Sequence, residues 1–252
     1  MSGVQLSALV VAHNEEDHLD ACLKALAFAD ERVVVLDRCT DGSKRIAENH
    51  AERVLEGAWE QEGSRRNAGI EACLGQWIIE VDADERVPEA LGEEIRKVAR
   101  TSTFDWHEVP VDNYIGSRLI RWGWGGSFGT TAVPRLFRKG AKVWGAQRVH
   151  PVVDWRGRKG PRLQHALQHY VDRNISEMIA RLDRYTTARA RDLRESGDPG
   201  SFAANLRRLF TRFFKCYVGR KGYREGKWGF LIALFAGLYP LLSYLKATLE
   251  PE

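Results

Sequence analysis

The stretch "GQWIIEVDADERVPEAL", residues 75–91, decides the fold. Trp77, Ile78, Ile79 and Val81 form a short apolar run of the kind that makes a buried strand. It ends in Asp82-Ala83-Asp84, and Pro88 opens a helix a few residues later. Alternate strand residues point to the same side, so both carboxylates are expected at one crevice beyond the strand's end.

Working outward, the same design recurs. "LSALVVA" (6–12), "ERVVVLD" (31–37) and "ERVLEG" (52–57) are further apolar runs, and segments 15–28, 42–50 and 62–74 between them carry apolar residues at helical spacing. Strand and helix in alternation specify an α/β fold, with a Rossmann-like sheet flanked by helices. In such sheets ligands bind outside the carboxyl ends of the strands. That singles out Asn14 and Glu15 after the first run, Asp37 after the second, and Asp82 with Asp84 after the fourth. From 102 to 165 the sequence turns Gly- and Trp-rich, and pieces 132–138 and 142–149 read as extended, antiparallel additions to the sheet. Helix returns at 174, with Asn174 as cap, Glu177 three residues on and Gly197 as stop. The expected division is an α/β domain over 1–170 and a helical region over 171–252.

Composition narrows the class. With 252 residues, 44% of them hydrophobic and 29% charged, the chain is globular and not disordered. Its four cysteines lack metal-binding spacing and its N-terminus lacks a signal-peptide pattern, so a reducing cytosol is expected. The net charge of +4 is mild, but eight Lys or Arg against one acid, Glu225, fall between Arg207 and Lys227. The apolar run 228–245 follows, near the short limit for a bilayer span and interrupted by Pro240. The basic and apolar segments together, 207–245, predict contact with an anionic membrane surface, the apolar run lying in the interface; the alternative is a helix buried against the domain.

The paired carboxylates suit a hard divalent cation, Mg²⁺ or Mn²⁺, bridging to a diphosphate. The alternative use of Asp-x-Asp, an aspartyl nucleophile of phosphate transfer, is disfavoured by the motif's place on the fourth strand and by Glu85-Arg86 after it. A nucleic-acid or adaptor role for the basic cluster leaves the strand-end acids unexplained, and no nucleic acid is expected.

The ordered set "VVAHNEE" (10–16), "VVVLDRCTDGS" (33–43), "EGSRRNAGIEACLGQWIIEVDADERVPEAL" (62–91) and "PRLFRKG" (134–140) resembles the inverting family 2 glycosyltransferases, which have the GT-A fold. The "HY" at 169–170, "RYTTARARDL" at 184–193 and the aromatic-basic tail are similar to the subgroup that adds glucose to the bacterial lipopolysaccharide inner core. The resemblance implies a UDP-sugar donor, with Asn14, Glu15 and Asp37 lining the uridine pocket. It implies Arg66 and Asn67 near the base or diphosphate, Asp82 at ribose and metal, and Asp84 on the metal. It also implies a lipid-linked saccharide acceptor and a peripheral place on the cytoplasmic face of the plasma membrane. Inversion needs a general base. Where the subgroup has a His followed by a carboxylate, this chain has His150-Pro151, which leaves His150 and the downstream Asp154 as candidates, and a catalytically inactive relative as an alternative. His165 and His169 are four apart, one face of a helix, and are assigned a structural or acceptor role. Trp122 and Trp124 among glycines, with Arg135 and Arg138, are candidate acceptor contacts.

Overall fold

The computed structural model describes residues 4–124, 130–145 and 152–250. By contacts the chain falls into two compact units, one made of residues 1–111 and 132–169, the other of 112–131 and 170–252. The second unit resumes at 170, beside the expected division, but it also takes 112–131, which the sequence reading assigned to the first.

In the first unit, β1 (Leu6–Ala12), β2 (Glu31–Asp37), β3 (Arg53–Gly57) and β4 (Trp77–Asp82) are parallel, in the order β3-β2-β1-β4. Helices α1 (Glu16–Ala25), α2 (Ser43–His50) and α3 (Glu62–Ala72) make the crossovers, and α4 (Glu89–Thr101) follows Pro88. The sheet is covered on both sides, which is why the runs are apolar without alternation. Ala8, Val10, Val34, Ile79 and Val81 pack with Leu19, Leu23, Leu91 and Ile95 of α1 and α4. Leu9, Val33, Val35 and Ile78 face Ile70 and Cys73 at the end of α3. Gly69 lets α3 lie close: a Cβ there would sit 2.6 Å from Leu9 Cδ1 and 2.9 Å from Val35 Cγ2.

Beyond β4 the sheet turns antiparallel, as expected. After β5 (Glu85–Arg86) come β6 (Trp106–Ile115), β7 (Arg118–Ile120) and β8 (Ala132–Arg138), with β8 pairing to β4 and β6 to β8. β9 (Lys142–Trp144) pairs with β10 (Val153–Trp155), and β11 (Leu167–Asp172) pairs with β5. The extended piece expected over 142–149 is a strand only as far as Trp144; residues 146–149 lie outside the described residues. His165 lies in a loop and His169 on β11.

The second unit is built on α5 (Ile175–Glu195), α6 (Phe202–Phe214) and α7 (Lys227–Leu249). The Asn174 side chain accepts the Glu177 N–H at 3.0 Å and Gly197 closes the following turn at φ +67°, as the sequence specifies. The 23-residue α7 is long and apolar enough to cross a membrane by length and composition. Here its partners are protein: Ile232, Ala233, Phe235 and Ala236 are core, packed with Met178, Leu182 and Cys216. At Gly237 a Cβ would meet the Leu209 carbonyl at 2.6 Å, so α6 and α7 touch backbone to backbone. Arg194 of α5 bonds the Ala247 carbonyl at 3.2 Å and the Glu250 carbonyl at 3.1 Å, closing the helix's C-terminal end. One face of α7 is thus packed inside the protein, as in the buried-helix alternative, while Phe230 is half exposed, so the interfacial placement of 228–245 stays a proposal.

Candidate active site

The strand register lines up the acids. Val11 of β1 pairs with Asp82 of β4 and Ala12 with Leu36 of β2, so the loops after β1, β2 and β4 leave the sheet side by side. Two of these turns hold non-glycine residues in left-handed backbone, Asn14 at φ +56° and Arg38 at φ +52°. Such conformations cost on the order of 1–3 kcal/mol each and persist where neighbours enforce them. The neighbours are visible: Asn14 Oδ1 accepts the Thr40 N–H at 2.8 Å, and the Glu15 N–H reaches Ser43 Oγ at 2.9 Å. The Glu16 carboxylate accepts the Gly42 N–H at 2.7 Å. The first and second loops therefore hold one another in place.

Asp37 is fully buried and satisfied. It accepts from Arg38 twice, at 3.1 Å each, from Arg65 at 3.0 Å and from the Trp59 N–H at 3.1 Å. Burial would raise its pKa, but the Arg38 hydrogen bonds and the Trp59 N–H more than offset this and hold it below the usual carboxylate range. The sequence reading passed over Arg65, on α3, which is one residue from the arginine it chose.

Asp82 sits in a buried network of alternating charge. Arg66 lies 3.3 Å from one carboxylate oxygen, Arg135 bonds the other, and the Asp82 N–H donates to Glu85 at 2.8 Å. Arg66 also pairs with Glu80 and, at 3.0 Å, with Glu62; Arg135 reaches Glu85 at 3.2 Å; Lys142 bonds Glu80. Burial works against the charged form of each acid. For Asp82 the attraction of Arg135, then Arg66, wins, and its pKa is far below normal. For Glu80, Lys142, Arg66 and Arg135 win, leaving it at about 2. For Glu85 burial wins and pushes it up to about 7. Arg66 is thus occupied by three carboxylates in this structure and orients Asp82, where the sequence reading had it approaching a base or diphosphate. Asn67 is likewise engaged at both ends, with the Trp144 carbonyl at 2.8 Å and the Trp144 N–H at 2.9 Å, which ties α3 to β9. Arg135 is buried here, not an exposed acceptor contact, and Arg138 lies over the Trp77 ring at 4.7 Å.

Asp84 differs. It lies in the turn after β4, about one-third exposed like Asp82, but with no guanidinium on it among the described ion pairs, and it sits 3.3 Å from His169 Nε2. Burial lowers the His169 pKa, but the Asp84 hydrogen bond and charge raise it further, so the net shift is upward. Across the crevice Glu15 is pushed up to about 7, first by burial, then by the charges of Asp84, Asp82 and Asp41. The carboxylates after β1 and β4 therefore repel one another, and a cation between them would relieve that repulsion. Among the described residues no three His, Cys, Asp or Glu side chains form a ready metal cage. Two protein donors, Asp84 and His169, suit a Mg²⁺ or Mn²⁺ ion that takes its remaining ligands from phosphate and water.

Asp154 is on β10, 64% exposed, with Arg156 at 3.3 Å; His150 and Pro151 lie outside the described residues. In the second unit Trp124 is buried and donates to the Ile120 carbonyl at 2.6 Å, so it is core; Trp122 is exposed beneath Lys221 and Arg224.

Residues 7–126 match the profile of glycosyl transferase family 2. The lipopolysaccharide core biosynthesis glycosyltransferase LpsC of Rhizobium meliloti is 26% identical over 257 residues, covering 96% of this chain and 91% of that protein. The uncharacterized glycosyltransferase YibD of Escherichia coli is 30% identical over 117 residues, 43% of this chain and 34% of YibD. Among solved structures, S. aureus TarS 1–349 superposes with a TM-score of 0.50 at 15% identity, over 66% of this chain and 60% of that one. Its complex with UDP gives 0.50 over 71% of this chain and 63% of that one. This chain spans less than two thirds of the TarS fragment. The fold is thus GT-A-like, a mixed sheet with a helical C-terminal part. Over residues 7–126 the chain is similar to the family 2 glycosyltransferases, and over nearly its whole length it resembles a lipopolysaccharide core glycosyltransferase.

Proposed function

We propose that the protein transfers a sugar, glucose in the first instance, with inversion from a UDP-sugar to a saccharide-lipid acceptor of the lipopolysaccharide inner-core type, on the cytoplasmic face of the membrane. The observation that carries this is the pairing of Asp84 with His169 at the mouth of a crevice whose other carboxylates are either neutralised, as Asp82 is, or mutually repelled, as Glu15 is. Support for the donor comes from the TarS complex with UDP, and for the acceptor from the name of LpsC.

Asp84 and His169 would hold a divalent cation, with Asp82 behind them. When bound, the cation supplies charge neutralisation for the departing diphosphate. The chain's own residues do the rest. Arg66 and Arg135 fix Asp82 so that it cannot swing into the crevice. Asn14 and Glu15, braced by the interlocked loops, frame the nucleoside end, with Asp37 buried beneath them and orienting Arg38 and Arg65. Inverting displacement still needs a base to take the acceptor hydroxyl's proton, and His150 or Asp154 fills that role. An aspartyl-phosphate mechanism has no free nucleophile at Asp82, which two guanidiniums hold.

Calorimetric titration with UDP, UDP-glucose, UDP-galactose and UDP-N-acetylglucosamine, with and without Mg²⁺ or Mn²⁺, tests the donor. Metal-dependent binding with a preference for one sugar is expected; no binding of any of them overturns the reading. With a donor in hand, His150→Ala and Asp154→Asn separate the base candidates: the true base loses transfer to the acceptor while nucleotide binding persists.

A further inference from the structure

In α6, Phe202, Leu206, Phe210 and Phe214 recur at intervals of four, and Val218 continues the series through the π-helical turn Lys215–Gly219. Residues four apart lie on one helix face. In an ordinary core helix that face would be covered. Here it is not: Phe210 is 55% exposed, Phe214 58% and Val218 56%. The helix is docked by its other side, where Asn205 is buried and the Leu209 carbonyl lies against Gly237 of α7. At the end of α6 the exposed ridge widens. Phe213 joins Phe214 and Phe230 edge to face, with ring centroids 5.5 and 5.6 Å apart, and stacks on Tyr217 at 5.4 Å. Phe230 and Tyr223 are themselves half exposed.

Cations surround this ridge. Arg207, Arg208, Arg212, Lys215, Lys221, Arg224 and Lys227 are all exposed, and among the described residues none makes an ion pair with a carboxylate. The one acid among them, Glu225, already accepts the backbone N–H groups of Arg121 and Trp122 at 2.9 and 3.1 Å. An apolar patch of this kind on an exposed helix is unfavourable in water, and so many unpaired like charges repel one another. One environment relieves both: an anionic bilayer surface, where the aromatic and aliphatic side chains enter the acyl boundary and the cations meet phosphate head groups. Nucleic acid would satisfy the charges but not the aliphatic members of the ridge, Leu206 and Val218.

We propose that this face of α6 is the membrane-contacting surface, with Phe210, Phe214 and Val218 inserted at the interface, Arg207 and Lys215 on anionic head groups, and α7 remaining inside the protein. This deepens the reading of a lipid-borne acceptor: it places the membrane contact on α6, away from the apolar run that sequence alone favours.

The test is flotation of the full chain with phosphatidylcholine vesicles and with vesicles that also contain phosphatidylglycerol. The intact protein is expected to float only with the anionic vesicles, less so at high salt. Phe210→Ser/Phe214→Ser is expected to lower partitioning on the order of tenfold per phenylalanine, and Arg207→Glu/Lys215→Glu by at least about thirtyfold in all. All four positions are exposed, so far-UV circular dichroism should match the intact protein. Flotation of the phenylalanine variant at the intact protein's level overturns the proposal. So does failure of the intact protein to float, whether or not it then self-associates through the ridge or binds single-stranded DNA. UDP titration of the same samples keeps the two readings apart. Lost flotation with UDP binding intact overturns the surface alone; flotation without UDP binding overturns the donor reading alone.

Discussion

Two charged regions of this molecule have opposite logic. Around Asp82, Arg66, Arg135 and Lys142 are interleaved with Glu80, Asp82 and Glu85 in a buried network in which the charges have partners. On α6 the arginines and lysines stand in water beside exposed aromatic rings, with no carboxylate partner among the described residues. A buried charge must be paired within the protein because desolvation is expensive, whereas an exposed unpaired cluster keeps its capacity for an external partner. The same contrast recurs within three residues, in partners and not in exposure: Asp82 and Asp84 are each about one-third exposed, but Asp82 is held by two guanidiniums and Asp84 by one imidazole.

The strongest way to break that contrast is at Asp84. Asp84→Ala is expected to abolish metal-dependent turnover while changing unfolding free energy by no more than about 0.5 kcal/mol; full activity in this variant would sink the metal assignment. At Arg135 the reverse is expected. Arg135→Met leaves Asp82 and Glu85 buried against one another with a cation removed, and should cost about 3–5 kcal/mol in urea unfolding. A loss below about 1 kcal/mol would mean that the network is wetter than its burial indicates.

Packing beneath the site gives a smaller effect. Gly69→Ala places a methyl 2.6 Å from Leu9 Cδ1, an overpacking cost of about 1–3 kcal/mol offset by up to about 1 kcal/mol of helix propensity. A net drop in melting temperature is expected, and an unchanged one would show that α3 can lift from the sheet.

The smallest effect lies outside both regions. Glu94 of α4 accepts the N–H groups of Gln164 and His165 at 2.8 and 3.0 Å and pairs with the His165 ring. Burial raises its pKa, but these bonds outweigh burial and lower it below the ordinary 4.5. A depressed folded-state pKa stabilises the fold above the unfolded value and loses that contribution as pH falls through the folded one. Glu94→Gln should therefore be slightly less stable than the intact protein at pH 7, and the difference should vanish in acid. A constant difference at every pH would assign the effect to packing.

Much of the fold could be read directly. The periodicities of 6–12, 31–37 and 77–82 became β1, β2 and β4 residue for residue, and Asn174 and Gly197 ended their helix as capping chemistry requires. The choice of strand-end acids followed from the same rule. Their partners could not be read: Arg135 is 53 residues from Asp82 and His169 is 85 from Asp84, and no local pattern links such positions. Arg65 and Arg66 show the limit at its sharpest. They are adjacent on α3, yet the helical turn aims one at Asp37 and the other at Asp82.

By itself, then, the sequence determined which segments are strands and helices, that carboxylates gather at one edge of the sheet, and that basic and apolar residues concentrate in the last fifty positions. Those properties rest on short-range geometry and on composition. Only the tertiary structure decided which carboxylate is neutralised and which is left open. It also decided that one face of α7 is core while Phe210 and Phe214 of α6 face outward. Burial depends on what a distant part of the chain places against a side chain, and the hydrophobicity of a helix carries no record of which of its faces will be covered.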